Sequence, residues 1–291
     1  MTTDIDLARR LVDAQFPRWR GLPLVPYASG GSDNVIFRLG DELAVRLPNE
    51  WASGQAAKEN LLLPRLAPHL PLAVPEPVGL GVPALGFPWE WSVSRWLDGE
   101  AATVDGLADP SAAAAELAGF LKALQGLALA PEVRAAPDAL PGRDRSTREA
   151  IAAVEGVFDT GALTEVWEDA LAAPAWPGPP VWQHGDMHNG NLLTVGGRLS
   201  AVIDFGGLGA GDPACDLVVA WTLFEGEARE VFRSALDVDD ATWARGRGWA
   251  VSTGLSAYVS YAATRPSVAA NTSRQIRWAL SDRPRSRGGR R

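Results

Sequence analysis

Apolar and polar positions along this chain follow periods that switch between helical and extended. Residues 4 to 16 place Ile5, Leu7, Ala8, Leu11, Val12 and Phe16 at helical spacing, which predicts a helix with one apolar face. Val35-Ile36-Phe37-Arg38-Leu39 and Leu43-Ala44-Val45-Arg46-Leu47 flank Gly40-Asp41-Glu42 and predict strand, turn and strand. Gln55 to Leu66 reads as a helix, and Pro71 to Pro88 as loop and short strand. Trp89 to Leu97 alternates in part and predicts a further strand. The Ala-rich interval 111 to 127 carries Leu117, Phe120, Leu121 and Leu124 on one helical face. Pro174 to Pro180 breaks the chain. Asn191-Leu192-Leu193-Thr194-Val195 and Leu199-Ser200-Ala201-Val202-Ile203 enclose Gly196-Gly197 and predict a hairpin. From residue 214 the pattern is helical, opening with Leu217, Val218, Ala220 and Trp221, and no internal repeat is present.

The chain of 291 residues is long enough for two packed lobes. Its 46% hydrophobic and 21% charged content is that of an ordinary globular protein. No run of 18 apolar residues and no signal-peptide pattern occurs, and Cys215 has no second cysteine to pair with. These features predict a cytoplasmic protein without a membrane partner. A net charge of −8 argues against nucleic acid as a partner. Arg283, Arg285, Arg287, Arg290 and Arg291 sit among Ser, Pro and Gly and predict a disordered basic tail over 283–291.

Chemistry concentrates in His184-Gly185-Asp186-Met187-His188-Asn189-Gly190-Asn191, followed by Ile203-Asp204-Phe205-Gly206. Phosphoryl transfer needs positioning and charge neutralisation more than covalent chemistry. Protein kinases meet that need with H-R-D-x-x-x-x-N, which supplies a base and a magnesium ligand, and D-F-G, which supplies a second ligand. Here Gly185 stands in the arginine slot. Asp186 is the candidate base, and Asn191 and Asp204 are candidate Mg²⁺ ligands, hard oxygen donors for a hard cation. The predicted hairpin brings its outer ends together and so sets Asn191 beside Asp204. The chain holds three histidines, His69, His184 and His188, and one cysteine, so these types alone assemble no closed zinc set. His184 reads as a structural loop residue and His188 as a loop residue near the substrate.

With Gln183 to Asn191, Val202 to Gly206 and Gly211-Asp212-Pro213-Ala214-Cys215-Asp216-Leu217 in view, the chain resembles the aminoglycoside phosphotransferase family. These are small-molecule kinases with a protein-kinase-like fold. The resemblance implies an α+β, two-lobe architecture: an N-terminal nucleotide-binding lobe over 1–97, with an antiparallel sheet and a helix, and a mainly helical catalytic and acceptor-binding lobe over 98–282. It further implies ATP or GTP as donor in a cleft between the lobes, and a small-molecule hydroxyl as acceptor, often on an antibiotic. The aspartates of the G-D-P-x-x-D-L segment would be architectural, with Asp216 placed to brace the catalytic loop.

By the same resemblance, Ser32, Asp33 and Asn34 belong to the glycine-containing loop that covers nucleotide phosphates, and Ser94 and Trp96 to a hinge whose backbone holds the purine. No Gly-Lys-Ser/Thr exists, so this is not a Walker A loop. A kinase ordinarily grips the α- and β-phosphates with a lysine on its third strand. This chain has only Lys58 and Lys122, and Arg46 stands in that position with Glu59 as candidate partner. Arginine binds phosphate in a forked, bidentate manner; Lys58 is the alternative grip.

The acceptor stays open. Glu225, Glu227, Glu230, Asp237, Asp239 and Asp240 would suit a polycationic aminoglycoside or serve as a solvated helix face. Trp221, Trp243, Trp249, Tyr258 and Tyr261 would suit a macrolide or fill a core. A metabolic kinase acting on an amino alcohol or sugar, and a non-catalytic nucleotide-binding protein, are the alternatives. The short chain between Asp204 and the G-D-P segment leaves no room for a protein kinase's activation loop.

Overall fold

A computed structural model describes residues 4–27, 33–133 and 139–282. The chain divides into two compact units: Met1–Ala101 with Gly190–Val195 and Leu199–Gly207, and Ala102–Asn189 with Gly196–Arg198 and Leu208–Arg291. Ser32 and the basic segment 283–291 lie outside the described residues.

The first unit opens with helix α1 (Ile5–Gln15), started by Asp4, whose carboxylate accepts the Leu7 N–H at 2.9 Å. Strands β1 (Leu24–Tyr27), β2 (Asn34–Leu39) and β3 (Leu43–Pro48) follow, then helix α2 (Gln55–Leu66) and strands β4 (Pro77–Gly81) and β5 (Trp91–Arg95). They form an antiparallel sheet in the order β1-β2-β3-β5-β4. Period-two alternation sorts the sheet into two faces. Phe37, Leu39, Leu43, Val45, Leu47, Trp91 and Val93 turn inward and pack with Leu7, Ala8, Leu11 and Val12 of α1 in one buried cluster. Fully burying a side chain of this size stabilises by roughly 1.5–3 kcal/mol. The opposite face carries Asn34, Ile36, Arg38, Ala44, Arg46, Ser92 and Ser94, set by the pairs Ile36↔Arg46, Arg46↔Ser92 and Ala44↔Ser94. Strand β6 (Glu100–Ala101) closes this part of the chain.

Helices α3 (Pro110–Gln125), α4 (Ala139–Gly142), α5 (Asp144–Ala153) and α6 (Thr160–Ala172), then strand β7 (Val181–Gln183), belong to the second unit. Asp109 and Asp159 cap α3 and α6 through the N–H groups of Ala112 and Ala162. The chain returns to the first unit in the hairpin β8 (Leu192–Val195) and β9 (Arg198–Val202), ordered β6-β8-β9. Gly196 and Gly197 turn it with φ of 57° and 76°, the doubly positive geometry of a type I′ turn. Strand β10 (Gly209–Gly211) pairs antiparallel with β7. Helices α7 (Val219–Thr222), α8 (Gly226–Leu236), α9 (Asp240–Tyr261) and α10 (Pro266–Ser281) complete the second unit. Its core is aromatic and aliphatic, with Phe120, Leu121, Trp167, Trp182, Trp221, Phe224, Phe232 and Leu255 fully buried. No helix among the described residues is long and apolar enough to cross a membrane.

Candidate active site

In the second unit, the Asp186 segment leaves β7 and is fixed from below by Asp216. That carboxylate is fully buried and accepts two backbone N–H groups, from His184 and from Gly185, each at 2.8 Å. Gly185 has φ of 81°, which is why the arginine slot of the kinase pattern accommodates glycine here. Burial raises the Asp216 pKa, while attraction to His184 and the two N–H bonds pull it back. His184 is itself fully buried, and its Nδ1 accepts the Asp186 N–H at 3.3 Å. The Asp186 carboxylate remains 58% exposed, with His188 Nε2 at 3.6 Å from Oδ2. One turn on, buried Asn189 receives support the sequence did not reveal: its N–H donates to Thr222 Oγ1 and its amide to the Ala102 carbonyl.

Asp212 completes this scaffold. Its Oδ1 accepts the Ala214 N–H at 3.0 Å, and Arg245 on α9 grips both carboxylate oxygens at 2.6 and 3.1 Å. Arg245 also donates to the Pro174 carbonyl and Gln183 to the Asp212 carbonyl. Both aspartates of the G-D-P-x-x-D-L segment are therefore architectural in this structure.

In the first unit the hairpin delivers what its sequence predicts. The Ile203 N–H donates to the Asn191 carbonyl at 2.9 Å, joining the two ends. Asn191 is buried, whereas the Asp204 carboxylate is 33% exposed. Asp204 holds φ of 63°, a left-handed conformation that non-glycine residues adopt at a cost and that clusters at functional positions. Arg46 on β3 spans two carboxylates: Nη1 to Glu59 Oε2 at 2.7 Å and Nη2 to Asp204 Oδ1 at 3.2 Å. Burial pulls the Arg46 pKa down, but Glu59 and Asp204 together outweigh it and the net shift is upward. Burial raises the Glu59 pKa against the pull of Arg46. Lys58 serves elsewhere on α2, where Nζ donates to the Gly206 carbonyl at 2.5 Å and burial lowers its pKa. A Cβ at Gly206 would come within 2.6 Å of Gln55, so the glycine lets α2 approach this loop. The Arg46–Glu59 pairing was legible in the sequence; the Lys58 tether was not, and its only signal was its place beside Glu59 on α2.

Of the residues expected to meet the nucleotide, Asn34, Arg46 and Ser94 share the outward sheet face. Asp33 precedes β2, and its carbonyl accepts the Asn49 N–H at 2.8 Å. The Trp96 N–H donates to the Glu42 carbonyl at 2.7 Å, so a purine at this stretch must use other backbone groups. The Trp96 ring meets Tyr27 edge-on at 5.0 Å and lies 4.8 Å from the Arg38 guanidinium.

The six acidic positions near α8 and α9 are all exposed. Asp239 caps α9 through the Thr242 N–H at 2.7 Å, Asp240 pairs with Arg233, and Asp237 ends α8 in a left-handed turn with φ of 57°. Trp221 and Trp243 are core residues whose indole N–H groups both donate to Asp282. Trp249, Tyr258 and Tyr261 are half-buried.

Among the described residues no three His, Cys, Asp or Glu side chains gather around a metal-sized space. A Mg²⁺ on Asp204 and Asn191 accordingly has to complete its six oxygens with nucleotide and water, the usual arrangement for this ion in phosphoryl transfer. The donor set fits: one reachable carboxylate, one amide oxygen and no soft ligand.

A profile described as the phosphotransferase enzyme family (APH) matches residues 24–249. No curated protein matches the sequence significantly. The structure is similar to that of APH(2")-IIia in its complex with GDP and kanamycin, with a TM-score of 0.74 and 19% identity over 94% of this chain and 98% of that one. It is similar to the GDP complex of wild-type aminoglycoside 2'-phosphotransferase-IIIa, with a TM-score of 0.75 and 18% identity over 96% and 99%. It is also similar to the apoenzyme of macrolide 2'-phosphotransferase MphH from Brachybacterium faecium, with a TM-score of 0.62 and 23% identity over 98% and 100%. These likenesses establish a shared kinase-like fold, and with the profile match over most of its length, the chain belongs to the phosphotransferase enzyme family.

Proposed function

We propose that the protein is a nucleoside-triphosphate-dependent O-phosphotransferase that moves a γ-phosphoryl group from ATP or GTP to a hydroxyl of a small molecule. The observation that carries this reading is the Arg46–Glu59–Asp204 chain of charges, a buried cation held between a helix carboxylate and the aspartate of the I-D-F-G segment. In this reading Arg46 takes the α- and β-phosphates and Glu59 holds Arg46 in its rotamer. Asn34 and the loop before it cover the phosphates, and the segment from Ser94 to Trp96 meets the base. Asp186 accepts the hydrogen bond of the acceptor hydroxyl and takes its proton as the acceptor oxygen bonds to phosphorus and the β,γ-bridging oxygen departs with its electron pair. Asn191 and Asp204 hold Mg²⁺, which when bound neutralises charge on the phosphate oxygens. Residues 1–97 form the nucleotide-binding part and 98–282 the catalytic and acceptor-binding part of this scheme.

The first acceptor reading is an antibiotic of the aminoglycoside or macrolide type, supported by the kanamycin and macrolide named with the similar structures. A metabolic hydroxyl compound, such as a sugar or amino alcohol, is the second. It is favoured because three of the acidic positions that would suit a polycation, Asp237, Asp239 and Asp240, are committed to helix ends and an ion pair. Phosphate transfer from ATP and GTP with magnesium, screened across aminoglycosides, macrolides and small metabolic alcohols, tests the assignment. Turnover of one class establishes it; no transfer to any hydroxyl by nucleotide-bound protein removes it in favour of a non-catalytic nucleotide-binding role.

A further inference from the structure

The second unit contains an arginine whose charge is oriented but not spent. Arg143 immediately precedes α5 and is half-buried. Its Nε donates to Ser252 Oγ on α9 at 2.7 Å, and its guanidinium lies 5.4 Å from the Trp249 ring centroid. Ser252 is in turn held by Thr147, with the hydroxyl oxygens 2.7 Å apart and both residues 2% exposed. Nη1 and Nη2 take no acceptor among the described residues. The adjacent carboxylate, Asp144, is committed to Trp167 Nε1 at 2.7 Å and Arg148 Nε at 2.8 Å.

Comparison within the unit makes Arg143 distinct. Buried Arg229, Arg245 and Arg247 each donate to carbonyl or carboxylate oxygens. Arg143 alone of this set turns its forked edge to no oxygen of the described residues. Burial lowers its pKa and no carboxylate opposes the shift. A guanidinium fixed by a hydroxyl on one side and an indole on another, with neither Nη atom bonded to a described residue, matches the two oxygens of a carboxylate or phosphate. Helix α9 also relates this group to the catalytic scaffold. Arg245 on α9 clamps Asp212, and Ser252 lies seven residues further along the same helix, a rise of about 10 Å.

We propose that Arg143, presented by Ser252, Thr147 and Trp249, binds an oxyanion group, carboxylate or phosphate, carried by the acceptor that this enzyme phosphorylates. The inference rests on the phosphotransferase reading and selects between its acceptors. A polycationic aminoglycoside brings no partner for this charge, whereas a hydroxylated acid or a sugar phosphate does.

The test has two parts, both on the full chain. Inorganic phosphate is titrated calorimetrically into ADP-saturated protein, so that the nucleotide grip at Arg46 is already filled. Wild type is expected to bind one phosphate, Arg143→Met to bind it at least 10-fold more weakly, and Ser252→Ala to fall between them. Phosphate binding that is absent from wild type, or unchanged in Arg143→Met, overturns the proposal, and Ser252→Ala decides the matter where Arg143→Met fails to fold. In the second part, sugar acids and sugar phosphates are compared with their uncharged alcohols as acceptors. Arg143→Met is expected to raise KM for the anionic acceptors at least 10-fold while ADP affinity is unchanged. Anionic acceptors turned over with an unchanged KM, or turnover confined to acceptors without an anionic group, overturns the assignment to the acceptor. Failure of the phosphotransferase reading itself looks different: Asp186→Ala then retains whatever transfer wild type shows.

Discussion

Arg46 Nη1 lies 2.7 Å from Glu59 Oε2, and the Glu59 side chain is only 5% exposed. Removing one member of a buried ion pair strands the other charge, which costs about 3–5 kcal/mol. Arg46→Met is therefore expected to lower unfolding free energy by about that amount, and Arg46→Met/Glu59→Gln to recover part of it. Urea denaturation of the two variants checks this. A single substitution without effect on stability contradicts the pairing.

Asp216 supplies both acceptors for the His184 and Gly185 N–H groups. Asp216→Ala leaves the buried His184 N–H unpaired, at about 1–3 kcal/mol, and removes the acceptor of the part-buried Gly185 N–H as well. The loop carrying Asp186 loses its support with them. The expected result is a lower midpoint in urea together with loss of phosphate transfer, and a variant that keeps both at wild-type level contradicts the bracing role.

Asp204 adopts φ of 63°, a conformation asparagine also tolerates. Asp204→Asn is expected to change stability by less than about 1 kcal/mol while reducing transfer by about 100-fold and weakening its magnesium dependence. A stable variant with full activity removes Asp204 from the metal site.

Burial raises the Cys215 thiol pKa well above 9.0, helped by Asp216 and Asp212. A raised folded-state value means the thiol stays protonated through neutral and mildly alkaline pH. The stability it contributes is full below the unfolded thiol's pKa and is lost as pH climbs through the folded value. Iodoacetamide at pH 8 is expected to leave native protein unmodified and to label the urea-unfolded chain once. Rapid labelling of native protein contradicts the burial.

Much of this architecture was legible because the chemistry is local in sequence. The hairpin from Asn191 to Ile203 announces itself by two apolar runs around Gly196-Gly197, and it forms. The scarcity of lysine singled out Arg46, and a helix beginning at Gln55 placed Glu59 within its reach. Helix α5 offers only Thr147 and Ile151 as buried positions, so little apolar pattern marks it, whereas α6 carries Leu163, Val166, Trp167 and Ala170 at helical spacing and was legible but missed. The β7–β10 pair escaped for a different reason: its partners are three residues each and separated by the intervening hairpin. Arg245 on Asp212, Asn189 on Thr222 and Arg143 on Ser252 join segments far apart in the chain, and a single sequence carries no signal for such contacts.

The central claim is that Asp186 activates a hydroxyl for attack on a γ-phosphate. Transfer of labelled γ-phosphate from ATP and GTP to the best acceptor, with magnesium, should be compared between wild type and Asp186→Ala at matched fold and nucleotide affinity. The Asp186 carboxylate is 58% exposed, so the variant is expected to fold normally and to transfer phosphate at least about 100-fold more slowly. Transfer by Asp186→Ala at the wild-type rate would contradict the mechanism.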